Sequence, residues 1–333
     1  VRYALLFSGA LVFAVLYSPQ PLLPGIERLY GAPPGSAGLG MALPLLGLVL
    51  GPWCFRRWAA PGEQKLFWGT LGVGVFSLVS LVVPGLVWWA LARFLVGFAL
   101  SAVAVLGFAL LPRLFPSPYA VSAFVALNAL GGTLGRFLAG VLGEGLGVRP
   151  ALLIISLPVL ILAGFFLTGR APPLPEPRAA RPGRAMLVGG ALLFSNLFLA
   201  NLFPYRLEAL GFGLGAIGGF YLAYLGGLVG PFVSGKWGLK AALGLVFLGA
   251  SLMAGPWLGV GFALFLAGIF GMHAVFGGVF GRRGESWAYV SGYYLGGALA
   301  GLVYPLFLGA PFALALGTVI VLLVASAFLG AKV

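Results

Sequence analysis

With 61% of its 333 residues hydrophobic and only 8% charged, the chain lacks the polar residues that a water-soluble surface of this size requires, and its apolar stretches leave no room for a soluble catalytic domain. The net charge of +13 is scattered between apolar runs instead of forming one basic face, which excludes a nucleic-acid partner and suits a lipid surface. A single cysteine, Cys54, one histidine, six glutamates and no aspartate exclude an internal disulfide and a thiolate cluster and leave almost nothing to ligate an ion, so neither metal nor cofactor is expected.

A helix needs about 20 apolar residues to cross a hydrocarbon layer of about 30 Å. Windows of that length predict helices near 3–23, 37–55, 66–83, 85–111, 119–142 and 149–169, and six more near 186–205, 213–234, 238–255, 257–279, 287–309 and 311–330. Arg2 precedes the first stretch, but another span follows at once without a convincing cleavage site, so it reads as a retained helix. Gly and Pro within apolar spans read as close helix packing and kinks. The sequence predicts an all-α integral membrane protein of twelve helices in two six-helix bundles, 1–169 and 185–333. The Pro- and Arg-rich interval 170–184, RAPPLPEPRAARPGR, joins them as a cytoplasmic linker.

The cations orient these helices. Arg2, Arg56, Arg57, Lys65, Arg113, Arg170, Arg178, Arg181, Arg184, Lys236, Lys240, Arg282, Arg283 and Lys332 fall at the termini and in every second gap, whereas the opposite gaps hold only Arg28, Arg149 and Arg206. The positive-inside bias therefore places both termini in the cytoplasm.

The halves repeat. Leu130, Gly131, Gly132, Thr133, Leu134 and Gly135 of the fifth helix match Leu295, Gly296, Gly297, Ala298, Leu299 and Ala300 of the eleventh, and Gly51-Pro52 is echoed by Gly230-Pro231. A parallel duplication around an interior cleft is the plan of a solute carrier.

The remaining cations lie inside spans. Arg93 is about eight residues into the fourth helix, on the order of 12 Å deep; exposed to lipid it would cost roughly 2.5 to 3.5 kcal/mol, so it must face protein or water. It is a candidate for substrate binding or coupling, the competing reading being a tie to backbone carbonyls and to Gln20 at the outer end of the first helix. Arg136 sits at similar depth on a glycine-rich face and suggests a gating or structural role or a substrate contact. Two buried arginines favour an anionic or hydroxyl-rich cargo. His273 is the sole centrally placed group that titrates near neutrality, hence the candidate proton carrier, with hydrogen-bonded packing as the competing reading. Asn128, Asn196, Asn201 and Gln20 can join helices or face a solute. Asn196 and Asn201 do not share a face, so one of them is expected to line the cavity. Tyr17, Tyr221, Tyr293 and Tyr294 can offer stacking walls with a hydroxyl, while Trp88 and Trp89 read as interfacial anchors. A membrane enzyme would need an acid, a base and a nucleophile or metal at one depth, and no such cluster exists, so no enzymatic activity is expected.

Several runs resemble the major facilitator superfamily and, within it, the YnfM-like branch of bacterial efflux carriers. They are Tyr17-Ser18-Pro19-Gln20-Pro21-Leu22-Leu23-Pro24; Asn128-Ala129-Leu130-Gly131-Gly132 with Gly135-Arg136, Ala139-Gly140 and Gly147-Val148-Arg149; Gly271-Met272-His273-Ala274; and Tyr293-Tyr294-Leu295-Gly296-Gly297. The resemblance implies that Arg93, with Gly97, holds the place of the fourth-helix basic residue implicated in coupling or substrate binding. It also implies that Gly51, Arg56, Gly131, Gly132, Gly135, Gly140, Gly296 and Gly297 serve gating and helix packing, with Arg136 standing where the wider antiporter motif has proline. Two departures stand out: Phe55 occupies the position of the usual Asp in the loop between helices two and three, and the six glutamates are expected in loops or at helix ends. The resemblance implies a secondary active transporter working as a monomer in the inner membrane, an efflux antiporter of small organic solutes (sugar, drug or organic anion) by alternating access and with protons as a possible partner. The alternatives are a proton-independent facilitator or exchanger, or a membrane sensor that does not transport.

Overall fold

The structure, a computed structural model, describes residues 1–115, 119–172, 183–283 and 285–331. The described residues form eleven apolar helices long enough to cross a membrane. These are α1 (Arg2–Tyr30), α2 (Ser36–Arg57), α3 (Gly62–Val82), α4 (Leu86–Leu111), α5 (Ala123–Leu146), α6 (Val148–Thr168) and α7 (Arg184–Ala209), then the 40-residue stretch Leu214–Met253, and α10 (Leu258–Phe280), α11 (Ser286–Phe307) and α12 (Phe312–Ala331). Leu214–Met253 is broken at Gly238, whose φ of 75° and ψ of −167° only glycine adopts readily. It therefore divides into α8 (214–237) and α9 (239–253), consistent with the twelve predicted spans.

Helix ends differ from expectation where prolines sit. Pro19 and Pro21 do not stop α1 near residue 23. The chain winds as a 3₁₀ turn over Gln20–Leu22 and re-enters the α-helix at Leu23–Tyr30, because proline is tolerated in the first turn of each new segment. Glu27 consequently lies within a helix, 4% exposed, and accepts the Ala37 N–H at the start of α2 at 2.9 Å. Pro204 is likewise contained within α7. Trp89 is not an interfacial anchor: it is 2% exposed and fills the slot left open by Gly40, where a Cβ would collide with its ring, whereas Trp88 is exposed. The predicted linker falls mostly on 173–182, outside the described residues, as do Arg178, Arg181, Glu176 and Lys332.

Contacts divide the chain into two compact units, Val1–Pro177 with Leu207–Gly219, and Arg178–Arg206 with Phe220–Val333. In the first, α1 crosses α5 where Gly131 and Gly135 meet the backbone of Ala10 and Ala14, and α2 crosses α4 where Gly97 meets Pro44 and Gly51 meets Phe98 and Ser101. In the second, α7 crosses α11 where Gly189 meets Tyr289, Gly292 meets Met186 and Gly296 meets Gly190, and α8 crosses α10 where Gly226 meets Ala263 and Gly230 meets Ala267. The glycines repeated in the sequence are thus the ones at equivalent crossings, where small residues let backbones touch in a medium that provides no hydrophobic drive between helices. Gly297 is buried beside Gly296. The repeat extends to the helix ends: Gly31 and Gly211, at φ 61° and 84°, turn the chain after α1 and α7. Leu207–Gly219 is held in the first unit by three contacts. Gly140 lies against Gly218, Glu144 accepts the Gly215 N–H at 2.8 Å, and Arg28 pairs with Glu208 at 2.5 Å.

Phe55, at the position of the expected carboxylate, packs with Ala102, Leu106 and Phe98. Ala102–Gly107 is a π-helical stretch of α4, so the substitution replaces a charge by an apolar contact with the least regular part of that helix.

Replacing Gly131 by Val would drive a side chain into the Ala10 backbone and is expected to destabilise the protein by about 1–3 kcal/mol. Gly219→Ala, where a Cβ meets nothing within 4 Å, should leave the unfolding midpoint unchanged; thermal unfolding in detergent compares the two.

Candidate functional site

In the first unit, the break in α1 organises the polar residues. Pro19 has no N–H, so the Val15 carbonyl loses its helical donor, and the 3₁₀ turn that follows takes the donor of Leu16 out of α-helical register. Arg93 of α4, 2% exposed, answers both: Nη1 donates to Val15 O at 3.2 Å and Nη2 to Leu16 O, while the Ser18 hydroxyl also reaches Val15 O at 3.2 Å. Arg93 Nε has no acceptor among the described residues. Gln20 is held by Arg136 instead of Arg93. Arg136 Nε donates to Gln20 Oε1 at 2.5 Å, Nη1 donates to Gly132 O at 3.0 Å, and the guanidinium lies 4.1 Å over the Tyr17 ring. Gly132 leaves room here, since a Cβ would stand 3.0 Å from that ring and 3.3 Å from the guanidinium, both tight contacts. Residues 15–20 of α1 are thus gripped from α4 and α5 by two cations, in a span otherwise apolar. Asn128 faces Gly9 a few turns away and its buried Oδ1 has no donor among the described residues. The structure brings Arg93, Arg136, Gln20 and Tyr17 together and leaves Asn128 apart. Arg56, at the end of α2, belongs to the opposite end of the unit.

In the second unit, Pro204 frees the Ala200 carbonyl of α7 as Pro19 frees that of Val15, and the Tyr221 hydroxyl donates to it at 2.5 Å. Asn196, one turn earlier, accepts from the Tyr224 hydroxyl at 2.5 Å. Asn201 is fully buried. Neighbouring aromatics close this end, Phe203 lying 4.7 Å and Phe220 5.3 Å from Phe262. His273 of α10 shares a hydrogen bond with the Tyr289 hydroxyl through Nδ1 at 2.8 Å, and its ring centre is 4.5 Å from that of Tyr293, which meets Tyr294 edge-on at 5.8 Å. The imidazole is therefore hydrogen-bonded and half-buried in a tyrosine cluster.

The sequence reading missed Tyr224 and Tyr289, the partners of Asn196 and His273. Tyr289 carries a readable signal, one helical turn before Tyr293 and so on the same face. Tyr224 has none, since nothing local to α8 specifies that its ring turns toward α7. Among the described residues no group of three or more metal-ligating side chains forms.

A bundle of membrane-crossing helices, internally repeated and holding cationic and aromatic polar clusters within its spans, is the architecture of a solute carrier. The chain is similar in sequence and in fold to membrane transporters of the major facilitator type. It is 26% identical over 351 residues to YybF, an MFS-type transporter of Bacillus subtilis (strain 168), covering 92% of this chain and 86% of that one. It is 27% identical over 187 residues to the inner membrane transport protein YnfM of Escherichia coli (strain K12), covering 55% of this chain and 44% of that protein. The fold matches a bacterial homologue of the human lysosomal transporter Spinster, in an inward-facing and occupied conformation, with a TM-score of 0.74 at 14% identity over 100% of this chain and 96% of that one. It also matches the human organic anion transporter MFSD10, with a TM-score of 0.69 at 17% identity over 99% and 98%. No family model matches the chain.

Gln20→Leu would remove the acceptor of a buried guanidinium N–H and should cost about 1–3 kcal/mol. Double-mutant analysis with Arg136→Met, read by thermal unfolding, is expected to show the two changes to be strongly non-additive; additive losses would mean that the pair is not coupled.

Proposed function

We propose that the chain is a secondary active transporter of the cytoplasmic membrane that moves a small organic solute outward, an organic anion before a sugar or a neutral drug. Two bundles, 1–169 and 185–333, joined by the 170–184 linker, would expose one site alternately to each side, with the protein acting as a monomer and both termini cytoplasmic by the charge bias of the loops. The observation that carries the anionic reading is Arg93: 2% exposed, permanently charged, held by two carbonyls and no carboxylate, with one N–H unanswered. Arg136 adds a second buried cation on the same stretch of α1. The organic anion transporter MFSD10, with the same fold, is in keeping with this class. Outward direction and antiport rest on the glycine-rich run of α5.

A second reading, an exchanger that moves no proton, is favoured by one observation. Among the described residues the one deeply buried carboxylate, Glu27, is engaged at the start of α2, which leaves His273 as the group able to exchange a proton within a span. Proteoliposomes holding a pH-sensitive dye separate the two. Organic-anion flux accompanied by proton movement, with the pH dependence lost in His273→Gln, is the expected outcome. Flux without proton movement, unchanged in that variant, would establish the exchanger. Arg93→Gln is expected to lower organic-anion flux by tenfold or more, on the order of the 1.4 kcal/mol that one charge-assisted hydrogen bond supplies; sugars transported in preference to anions would overturn the anionic reading.

A further inference from the structure

A cavity of about 360 Å³ opens at the end of the first unit opposite the α1 break, lined by Ala60, Pro61, Gly62, Glu63, Lys65, Arg170 and Ala171. It surrounds the first turn of α3, a helix of 21 residues whose preceding residue, Pro61, offers no side-chain cap. A helix leaves the N–H groups of its first turn without carbonyl partners of their own and carries partial positive charge there. Gly62 keeps that turn open: a Cβ on it would stand 3.0 Å from Ala171 Cβ and 3.4 Å from Pro172 O. Lys65 is 6% exposed, lines the cavity, and makes no hydrogen bond or ion pair with the described residues. A lysine stem packed this deeply, whose ammonium meets no acceptor among the described residues, leaves that charge open to an acceptor from outside the protein. Arg170 is the second cation of the lining, and the charge of Arg56, at the end of α2, acts on Lys65 as well. The one carboxylate, Glu63, accepts the Ala171 N–H at 2.9 Å through Oε2, fixing the chain after α6 against the start of α3. The lining therefore carries two cations against one anion, beside a bare helix N-terminus.

We infer that this cavity is an anion site for a phosphate group, which Lys65, Arg170 and the first-turn N–H groups of α3 hold together. The chemistry is shared by a soluble phosphate and by the phosphodiester of an anionic lipid headgroup, and both are recognised by a helix N-terminus joined to basic side chains. The site is independent of the transported cargo, because it lies on the loop between α2 and α3 and none of its residues touches the Arg93 and Arg136 cluster. Its occupancy would tie the start of α3 to the residues that lead out of α6.

The test is the unfolding midpoint of the full chain in phosphatidylcholine nanodiscs, with inorganic phosphate added, or with phosphatidylglycerol included in the bilayer, against chloride at matched ionic strength. A rise with inorganic phosphate assigns the soluble anion; a rise with phosphatidylglycerol alone assigns the lipid headgroup. Lys65→Gln is expected to weaken the response roughly tenfold, as loss of one charge-assisted hydrogen bond requires, and Lys65→Arg to retain it. Should Lys65→Gln fail to fold, Arg170→Gln is expected to weaken the response and Glu63→Gln, which removes the opposing charge while keeping an acceptor for Ala171, to strengthen it. No shift beyond chloride with either probe, or equal responses in the native chain and these variants, would overturn the site.

Discussion

In hydrocarbon every backbone carbonyl needs a donor, and a helix that loses one must find it on a neighbour. Pro19 and Pro204 each remove an N–H, and each freed carbonyl is met by a long polar side chain from another helix: Val15 by Arg93, Ala200 by Tyr221. The two repairs differ in chemistry. In the second unit a neutral phenol completes the bond. In the first a guanidinium does so, placing a permanent charge inside the span beside a second one on Arg136. The polar heart of each unit is thus the consequence of a broken helix, and the break in α1 is what draws α4 and α5 onto residues 15–20.

Close crossings make these repairs possible. A donor on α4 or α5 reaches α1 only if the backbones approach closely, and glycine at 97, 131 and 135 permits that approach. The duplication explains why comparable glycines recur at 226, 230, 292 and 296. It also explains why turn glycines 31 and 211 share a left-handed conformation, which lets α1 and α7 end in the same way.

The carboxylates follow a separate logic. Glu27 and Glu144 each accept a backbone N–H at or near the start of another helix, from Ala37 and Gly215, Glu63 accepts that of Ala171 in the chain after α6, and Glu208 meets Arg28. Helix beginnings favour anions through their partial positive charge. These described acids therefore serve helix ends or the chain beside them, while the buried Arg93 and Arg136 meet carbonyls, an amide and an aromatic ring. That separation leaves two buried cations within the first unit.

Fold class, the apolar spans and the repeated glycines were legible in the sequence, because hydrocarbon thickness imposes one length on every apolar run and duplication leaves residues at fixed offsets. The intramembrane position of Arg93, Arg136 and His273 was legible for the same reason. Their partners were not. The sequence paired Gln20 with Arg93, and only the approach of α5 to α1 at Gly131 and Gly135 assigned it to Arg136. Phe55 read as a missing charge, and only the neighbouring π-helical surface showed what it contacts. Trp89 read as an interfacial anchor until Gly40 provided its slot. Sequence by itself determined which segments enter the membrane, since that depends on local composition against a fixed thickness. Tertiary structure alone decided which polar group answers which, since that depends on helix crossings between residues far apart in the chain.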